Sequence, residues 1–383
     1  MEQVRSKMFI RSFAREAGRI LLIITLIILV CFTIIVGGLL LLSTGKVEPF
    51  LDEKGQTLEG SISEKIHVTI NGVEQGMFIK GKDKRKPVLL FLHGGPAMPE
   101  YTFAQKYPTG LEDCFIVCYW EQRGAGLSYS SDMPPETLTV EQLISDTLEV
   151  TNHLRNGFGQ EKIYLMGHSG GSFFCIQAAA RAPELYHAYI GIAQISNQME
   201  SEKLAYKYMM EQYTMVGDKR MIQKLDKFPI TEMDTMPPPY RSLRDEAMHS
   251  LGIGTMRNME SVVSGIFLPV MQNPEYTFTE KINIWRGKWS VHSTNMWNQI
   301  LATNLTTEVT KLDIPVYFFS GLYDYTASYT LAKDYLEKLQ APVKGFYTFE
   351  QSAHSPIFEE PEKMQHILKE DVLLGVNNLA DTK

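Results

Sequence analysis

Apolar positions along the chain follow two rhythms, and each predicts a different element. Ile66, Val68 and Ile70 alternate with polar residues, Asn71-Gly72 follows, and the apolar pattern resumes from Val73 to Ile79. That pattern predicts a hairpin closed by a two-residue turn. A charged loop, Lys80 to Lys86, and Pro87 lead into Val88-Leu89-Leu90-Phe91-Leu92. This run is apolar on both faces, as a central parallel strand must be. Phe115 to Trp120 and Ile163 to Met166 read as further buried strands, and Ala188 to Ala193 as another. Between them, Leu143, Ile144, Leu148, Val150 and Leu154 give helical periodicity to Thr139–Asn156, with Gly157 as its stop. Gly171 to Ala182 reads as a helix of small residues halted by Pro183. The rhythm returns late in the chain. Ile314 to Phe319 and Val343 to Phe349 predict strands, and Ser328–Leu339 and Glu360–Leu374 predict helices. Strands alternating with helices predict an α/β fold, an open and mostly parallel sheet covered on both faces.

Two stretches break this rhythm. Residues 197–312 are too long for a loop and lean helical. They carry 12 of the 19 methionines and three of the four tryptophans (Trp285, Trp289 and Trp297), with Pro237-Pro238-Pro239 as an extended connection. They are expected to form a helical cap inserted between core segments 63–196 and 313–383. Such side chains fill cores, and on a cap underside they also line adaptable apolar pockets. The other stretch, Ile20 to Leu42, holds 23 residues without a charge. At about 1.5 Å per residue it spans a hydrocarbon layer of about 30 Å. A cleaved signal peptide has a shorter apolar region and ends at a small-x-small site, whereas this run ends Leu42-Ser43-Thr44-Gly45. The expectation is therefore a signal anchor over 20–42 that contacts the lipid bilayer. Arg5, Lys7, Arg11, Arg15 and Arg19 in segment 1–19 place the N-terminus in the cytoplasm and the rest outside. Residues 43–62 are polar and read as a stalk.

Composition narrows the picture only slightly. The 383 residues carry a net charge of -7, which argues against a nucleic-acid partner. Cys114, Cys118 and Cys175 are odd in number and suit buried thiols; Cys31 falls inside the apolar span. No Cys and His spacing suits a metal.

Candidate chemistry centres on Gly167-His168-Ser169-Gly170-Gly171-Ser172, directly after the strand Ile163–Met166. A serine flanked by glycines between strand and helix is the pattern that holds out a nucleophilic hydroxyl. Such a hydroxyl needs a base, and the base an orienting acid, both at strand ends facing the turn. His354 follows the last strand, and Asp324 leaves the C-terminal end of Ile314–Phe319. His249 and His366 fall within helical segments, and Asp313 lies at the wrong end of its strand. A developing oxyanion needs backbone N–H donors. Gly170 follows the nucleophile, and Gly95 lies in the loop His93-Gly94-Gly95-Pro96-Ala97 after the third strand.

Three segments together, His93-Gly94-Gly95-Pro96, Glu121-Gln122-Arg123-Gly124-Ala125-Gly126-Leu127-Ser128 and the turn at Ser169, resemble the prolyl aminopeptidase (proline iminopeptidase) branch of the alpha/beta-hydrolases. The resemblance covers roughly residues 63–195 and 313–374, and the order Ser, Asp, His fits that fold. It implies a Ser-His-Asp hydrolase with an acyl-enzyme intermediate and no metal or organic cofactor. The implied reaction removes an N-terminal residue, often proline, from short peptides. In the family the second motif begins with aspartate and braces the oxyanion loop, here through His93, Gly94, Gln122, Arg123 and Gly124. Buried Arg123 is expected to tie loops through backbone carbonyls. Glu121 replaces the family's aspartate, and Ala97 its usual glycine. Family peptidases hold the substrate's amino group with cap glutamates, for which Glu200, Glu202 and Glu260 are possible counterparts. An esterase or lipase acting on apolar acyl esters stays open as an alternative, and a non-catalytic binding protein on the same fold as a more distant one.

Overall fold

Eight strands form one sheet: β1 (Ile62–Ile70), β2 (Val73–Gly81), β3 (Val88–Leu92), β4 (Ile116–Trp120), β5 (Ile163–His168), β6 (Tyr186–Ile192), β7 (Val316–Gly321) and β8 (Lys344–Phe349). The computed structural model describes residues 2–382, with side chains described for 16–231 and 233–382. The side chains of Arg5, Lys7, Arg11 and Arg15 thus lie outside the described residues. The strand order is β1-β2-β4-β3-β5-β6-β7-β8. β1, β2 and β4 pair antiparallel, and β4 through β8 pair parallel. The hairpin register puts Ile70 opposite Val73, with Asn71 and Gly72 both at positive φ, as the two-residue turn requires.

All five residues of β3 are buried. Their side chains alternate between two cores, because successive strand residues face opposite ways. Val88, Leu90 and Leu92 join one core, Leu89 and Phe91 the other. Of the helices that cover these faces, α3 (Val140–Phe158), α4 (Gly170–Arg181), α12 (Tyr329–Lys338) and α14 (Pro361–Ile367) fall in segments read above, whereas the short α2 (Tyr101–Lys106) and α13 (Pro356–Glu359) were not expected. The helix α3 runs past the expected stop at Gly157 and ends at Gly159, whose φ of 64° closes the last turn. Gly157 lies at helical φ, and its missing Cβ meets only open space, so it stops nothing.

Between β6 and β7 lie α5 (Gln198–Val216), α6 (Lys219–Leu225), α7 (Pro238–Ser250), α8 (Leu268–Gln272), α9 (Phe278–His292), α10 (Met296–Ala302) and α11 (Leu305–Glu308). Met199, Met209, Met221, Met236 and Met248 share a third core there with Tyr206, Tyr213 and Tyr240.

The first helix, α1 (Glu2–Leu42), carries the apolar run. Among the described residues it is the one helix long and apolar enough to cross a membrane, and that window is not buried against the protein. The segment after it, expected as a stalk, lies along the body instead. The Lys281 ammonium donates to Ser43 Oγ (2.7 Å), the Gly45 N–H to Pro274 O (3.0 Å), and the Glu48 N–H to Glu275 Oε1 (3.1 Å). Polar composition suggested a stalk, but Ser43, Gly45 and Glu48 hydrogen-bond to the body. Cys114, Cys118 and Cys175 are buried free thiols, and Cys31 is exposed on α1.

Candidate active site

Ser169 sits between the end of β5 and the start of α4 at φ 51° and ψ -120°, a strained conformation for a residue with a Cβ. The turn closes only because its neighbours lack side chains. A Cβ on Gly167 would come within 2.7 Å of the Gly171 carbonyl, and one on Gly171 would strike the Leu92 carbonyl of β3. The result lifts the hydroxyl off the C-terminal edge of the sheet.

The loops after β7 and β8 bring Asp324 and His354 to it. The Ser169 hydroxyl donates to His354 Nε2 at 2.7 Å. The other ring nitrogen, Nδ1, donates to the Asp324 carboxylate at 2.9 and 3.0 Å. Asp324 is itself held by the N–H groups of Thr326 (2.8 Å) and Ala327 (3.0 Å), and is 2% exposed. Among the described residues neither the Gly170 nor the Gly95 N–H donates to a protein acceptor. Gly95, at φ 122°, borders the space above Ser169, and Gly170 packs against the Gly95 backbone. A serine, a base, an acid and two free N–H groups form an arrangement able to attack a carbonyl and stabilise the resulting oxyanion.

The loop carrying Gly95 is braced from below. The Gln122 N–H donates to His93 Nε2 (3.1 Å), and the Gln122 side-chain amide donates to His93 O (2.8 Å). His93 Nδ1 therefore carries the proton and donates to Gly94 O at 2.8 Å. Burial lowers the His93 pKa, which keeps the ring neutral for that role. Gly124 takes φ 79° in the same support. Arg123 differs from expectation. Its main partner is the buried Asp146 carboxylate of α3, reached by Nε (2.6 Å) and Nη2 (2.9 Å). The carbonyls of Ile70 and Asn71 lie farther off, at 3.4 and 3.5 Å. A guanidinium fork matches a carboxylate better than scattered carbonyls. Glu121 still braces its loop, accepting from the Leu127 N–H (2.6 Å) and from the Tyr276 hydroxyl. Ala97 takes a left-handed φ of 57°, which accounts for glycine at that point in the resembled motif.

Beside this group lies a second carboxylate–histidine pair that the sequence did not announce. His168 points away from the Ser169 hydroxyl. Its Nδ1 donates to Glu100 (2.8 Å) and its Nε2 to the His354 carbonyl (2.7 Å). Burial disfavours charge on this ring, but Glu100 outweighs it, and the His168 pKa is raised. Glu100 also accepts from the Gly94 N–H at 2.9 Å, so one carboxylate, through His168, joins the Gly95 loop to the His354 loop.

Two cavities meet at Ser169. One, about 210 Å³, is lined by Met98, Phe103, Met256, Val262, Ile266 and Phe358 on its apolar side. The other, about 180 Å³, runs under α7 and α9. Asp245, Arg244 and Lys288 border both. The three suggested glutamates lie elsewhere. Glu200 pairs with Lys203 on the exposed face of α5, and Glu260 borders a separate hollow. Glu202 is buried in a two-point pair with Arg244, at 2.6 and 2.9 Å. The carboxylate from the helices between β6 and β7 that does border Ser169 is Asp245, held by Arg244 Nη1 at 3.1 Å. His249 borders the first cavity but contacts Thr255 Oγ1 (3.2 Å), not Ser169.

This geometry on this sheet defines a class, the hydrolases of alpha/beta fold, and a family model described as alpha/beta hydrolase fold matches residues 87–219. The probable aminopeptidase YbaC of Bacillus subtilis (strain 168) is 30% identical over 311 residues, covering 80% of this chain and 96% of that protein. A proline iminopeptidase of Saccharolobus solfataricus is 24% identical over 345 residues, covering 84% of this chain and 95% of that one. The crystal structure of the Mycobacterium smegmatis proline iminopeptidase shares the fold, with a TM-score of 0.59 at 16% identity, over 80% of this chain and 96% of that one. The chain belongs to the alpha/beta-hydrolase superfamily, in its proline iminopeptidase-like branch.

Proposed function

We propose that this hydrolase is a serine aminopeptidase that removes the N-terminal residue, proline among others, from short peptides. The observation that carries the reading is the hydrogen-bonded chain from Ser169 through His354 to Asp324, with the Gly95 and Gly170 N–H groups unengaged beside it. His354 takes the Ser169 proton as the hydroxyl attacks the carbonyl. The two N–H groups hold the oxyanion, and Asp324 stabilises the imidazolium. His354 then protonates the leaving amine, and water, activated by the same ring, releases the acyl group. Asp245 holds the substrate's free ammonium, since it borders the site while Glu100 is committed to His168 and Gly94. In this reading residues 197–312 act as the cap over core segments 63–196 and 313–383. The helix over 20–42 anchors the chain in the bilayer, with segment 1–19 cytoplasmic and the hydrolase outside; the run of basic residues before it and its unburied apolar surface support this.

A carboxylesterase acting on apolar acyl esters is the second reading, favoured by the methionine and phenylalanine wall of the first cavity. The test sets a prolyl fluorogenic amide beside a p-nitrophenyl ester series, using the detergent-solubilised full chain and its Ser169→Ala variant. Amide turnover that requires a free amine, vanishes in Ser169→Ala and loses at least tenfold in kcat/KM in Asp245→Asn is expected. Ester turnover alone would transfer the protein to the esterases.

A further inference from the structure

We infer that the second cavity is a carboxylate-binding subsite, in which Lys288, Arg241 and Trp297 receive the C-terminal carboxylate of the leaving residue of a short peptide. The inference rests on the peptidase reading and adds what that reading leaves open, the nature of the leaving group.

Three observations converge on this cavity. Arg241 Nε is buried and has no hydrogen-bond partner, and the same holds for Trp297 Nε1. Lys288 is half-buried and forms no ion pair among the described residues. All three side chains line the space that begins at Ser169 and Gly95. Buried donors without acceptors are costly, and buried cations without counter-charge more so. Burial accordingly lowers the pKa of both Lys288 and Arg241. The neighbouring charges relieve them only in part, Asp245 favouring the charge on Lys288 against its burial. Arg244 is neutralised by the Glu202 carboxylate, and Asp245 lies against Arg244. His292 donates its Nδ1 proton to the Lys288 carbonyl and, being neutral or cationic, offers no counter-charge. Glu202 answers Arg244 and Asp245 is assigned to the substrate ammonium, so Arg241 and Lys288 are the cations left to meet a carboxylate. A carboxylate also offers about four acceptor sites, enough for the three orphan donors.

Size and position agree. A cavity of about 180 Å³ is large enough for one small amino-acid residue. In a dipeptide the carboxylate lies one residue beyond the scissile nitrogen, so it falls in the space contiguous with Ser169. With the ammonium on Asp245, both charges of a zwitterionic dipeptide find partners. The bond cleaved is the acyl C–N bond. The nitrogen takes its proton from His354, and water supplies the hydroxyl of the released acid.

The experiment compares prolyl-alanine with prolyl-alaninamide on the full chain in detergent, for wild type, Lys288→Met, Lys288→Arg and Trp297→Phe. In wild type the acid should exceed the amide at least tenfold in kcat/KM, with most of the difference in KM. Lys288→Met should shrink that ratio below threefold by weakening the acid only, and Lys288→Arg should restore it. Trp297→Phe should reduce it partway. Equal kcat/KM for acid and amide in wild type overturns the subsite while leaving the peptidase intact. If neither peptide is cleaved but esters are, the peptidase reading fails by itself. The subsite is then judged on 4-acetoxybenzoate against its methyl ester, where the same tenfold preference for the acid supports it and its absence overturns it.

Discussion

Replacing Glu121 by glutamine should make the protein less sensitive to alkaline conditions. Glu121 is 1% exposed, with the Leu127 N–H and the Tyr276 hydroxyl as its donors. Burial pushes its carboxyl up to about 8 from the usual 4.5, and those two donors restrain the rise without cancelling it. The sign follows from proton counting. Below about pH 4.5 folded and unfolded chains are both protonated at this site. Between 4.5 and 8 the folded chain holds a proton that the unfolded chain has released, so stability falls as pH rises through that window. Each unit is worth about 1.4 kcal/mol, so the loss approaches about 5 kcal/mol at pH 8. Glutamine titrates nowhere in this range. Its carbonyl can accept from Leu127 while its amide donates to the Tyr276 oxygen, so it keeps both contacts. Glu359, raised by burial to about 7, gives a slope of the same sign but is common to both proteins and cancels in the comparison. The assay is thermal unfolding of wild type and Glu121→Gln in one detergent at half-unit steps from pH 5 to 8. The variant should gain on wild type steadily as pH rises. Parallel profiles would refute the reasoning and place Glu121 among ordinary ionised carboxylates.

Two further outcomes follow from the braces of the site. Ala97→Gly removes a left-handed alanine worth about 1–2 kcal/mol of strain and adds about 0.5–1 kcal/mol of backbone entropy cost. Calorimetry should therefore find it unchanged or stabilised by at most about 1.5 kcal/mol with kcat unchanged, and a marked loss would contradict the strain assigned at φ 57°. Arg123→Met leaves the Asp146 carboxylate with amide donors from Asn71, Gln75 and Gln142 but no cation. Urea unfolding should show a loss of about 3–5 kcal/mol, part of it recovered by adding Asp146→Asn.

The sheet and the Ser169 group were legible because local pattern and function coincide there. Apolar runs locate the strands, and Ser169, Asp324 and His354 each lie within a few residues of a strand's C-terminal end, so placing strands places them. Asp146 also left a signal. It lies three residues after Leu143 and four before Val150, a charged residue on the apolar stripe of α3, which demands a buried partner. Asp245, Arg241 and Lys288 left none. They lie on α7 and α9, whose approach to Ser169 is decided by helix packing among residues remote in sequence. On a helical wheel they look like ordinary solvated charges. Glu100 follows two prolines in a loop, where neither periodicity nor motif reports that its carboxylate meets His168. The end of α3 was misjudged for a different reason. Gly157 and Gly159 are both credible stops, and only the left-handed turn at Gly159 separates them.

The contacts at Ser43, Gly45 and Glu48 govern how far the body can travel from α1. A flexible tether of about twenty residues would let the catalytic unit wander by about 25 Å, at about 5–6 Å times the square root of its length. Here the slack is taken up within three residues of Leu42 by Lys281 and Pro274. With α1 in a bilayer, the opening above Ser169 keeps a set altitude and a set heading over the lipid surface. On the proposed membrane-anchored reading, the protein would work as a fixed station, sampling only solutes that pass through one thin layer of solvent. A soluble form should begin at or before Ser43, because cutting later strips the buried Lys281 ammonium of its hydroxyl partner.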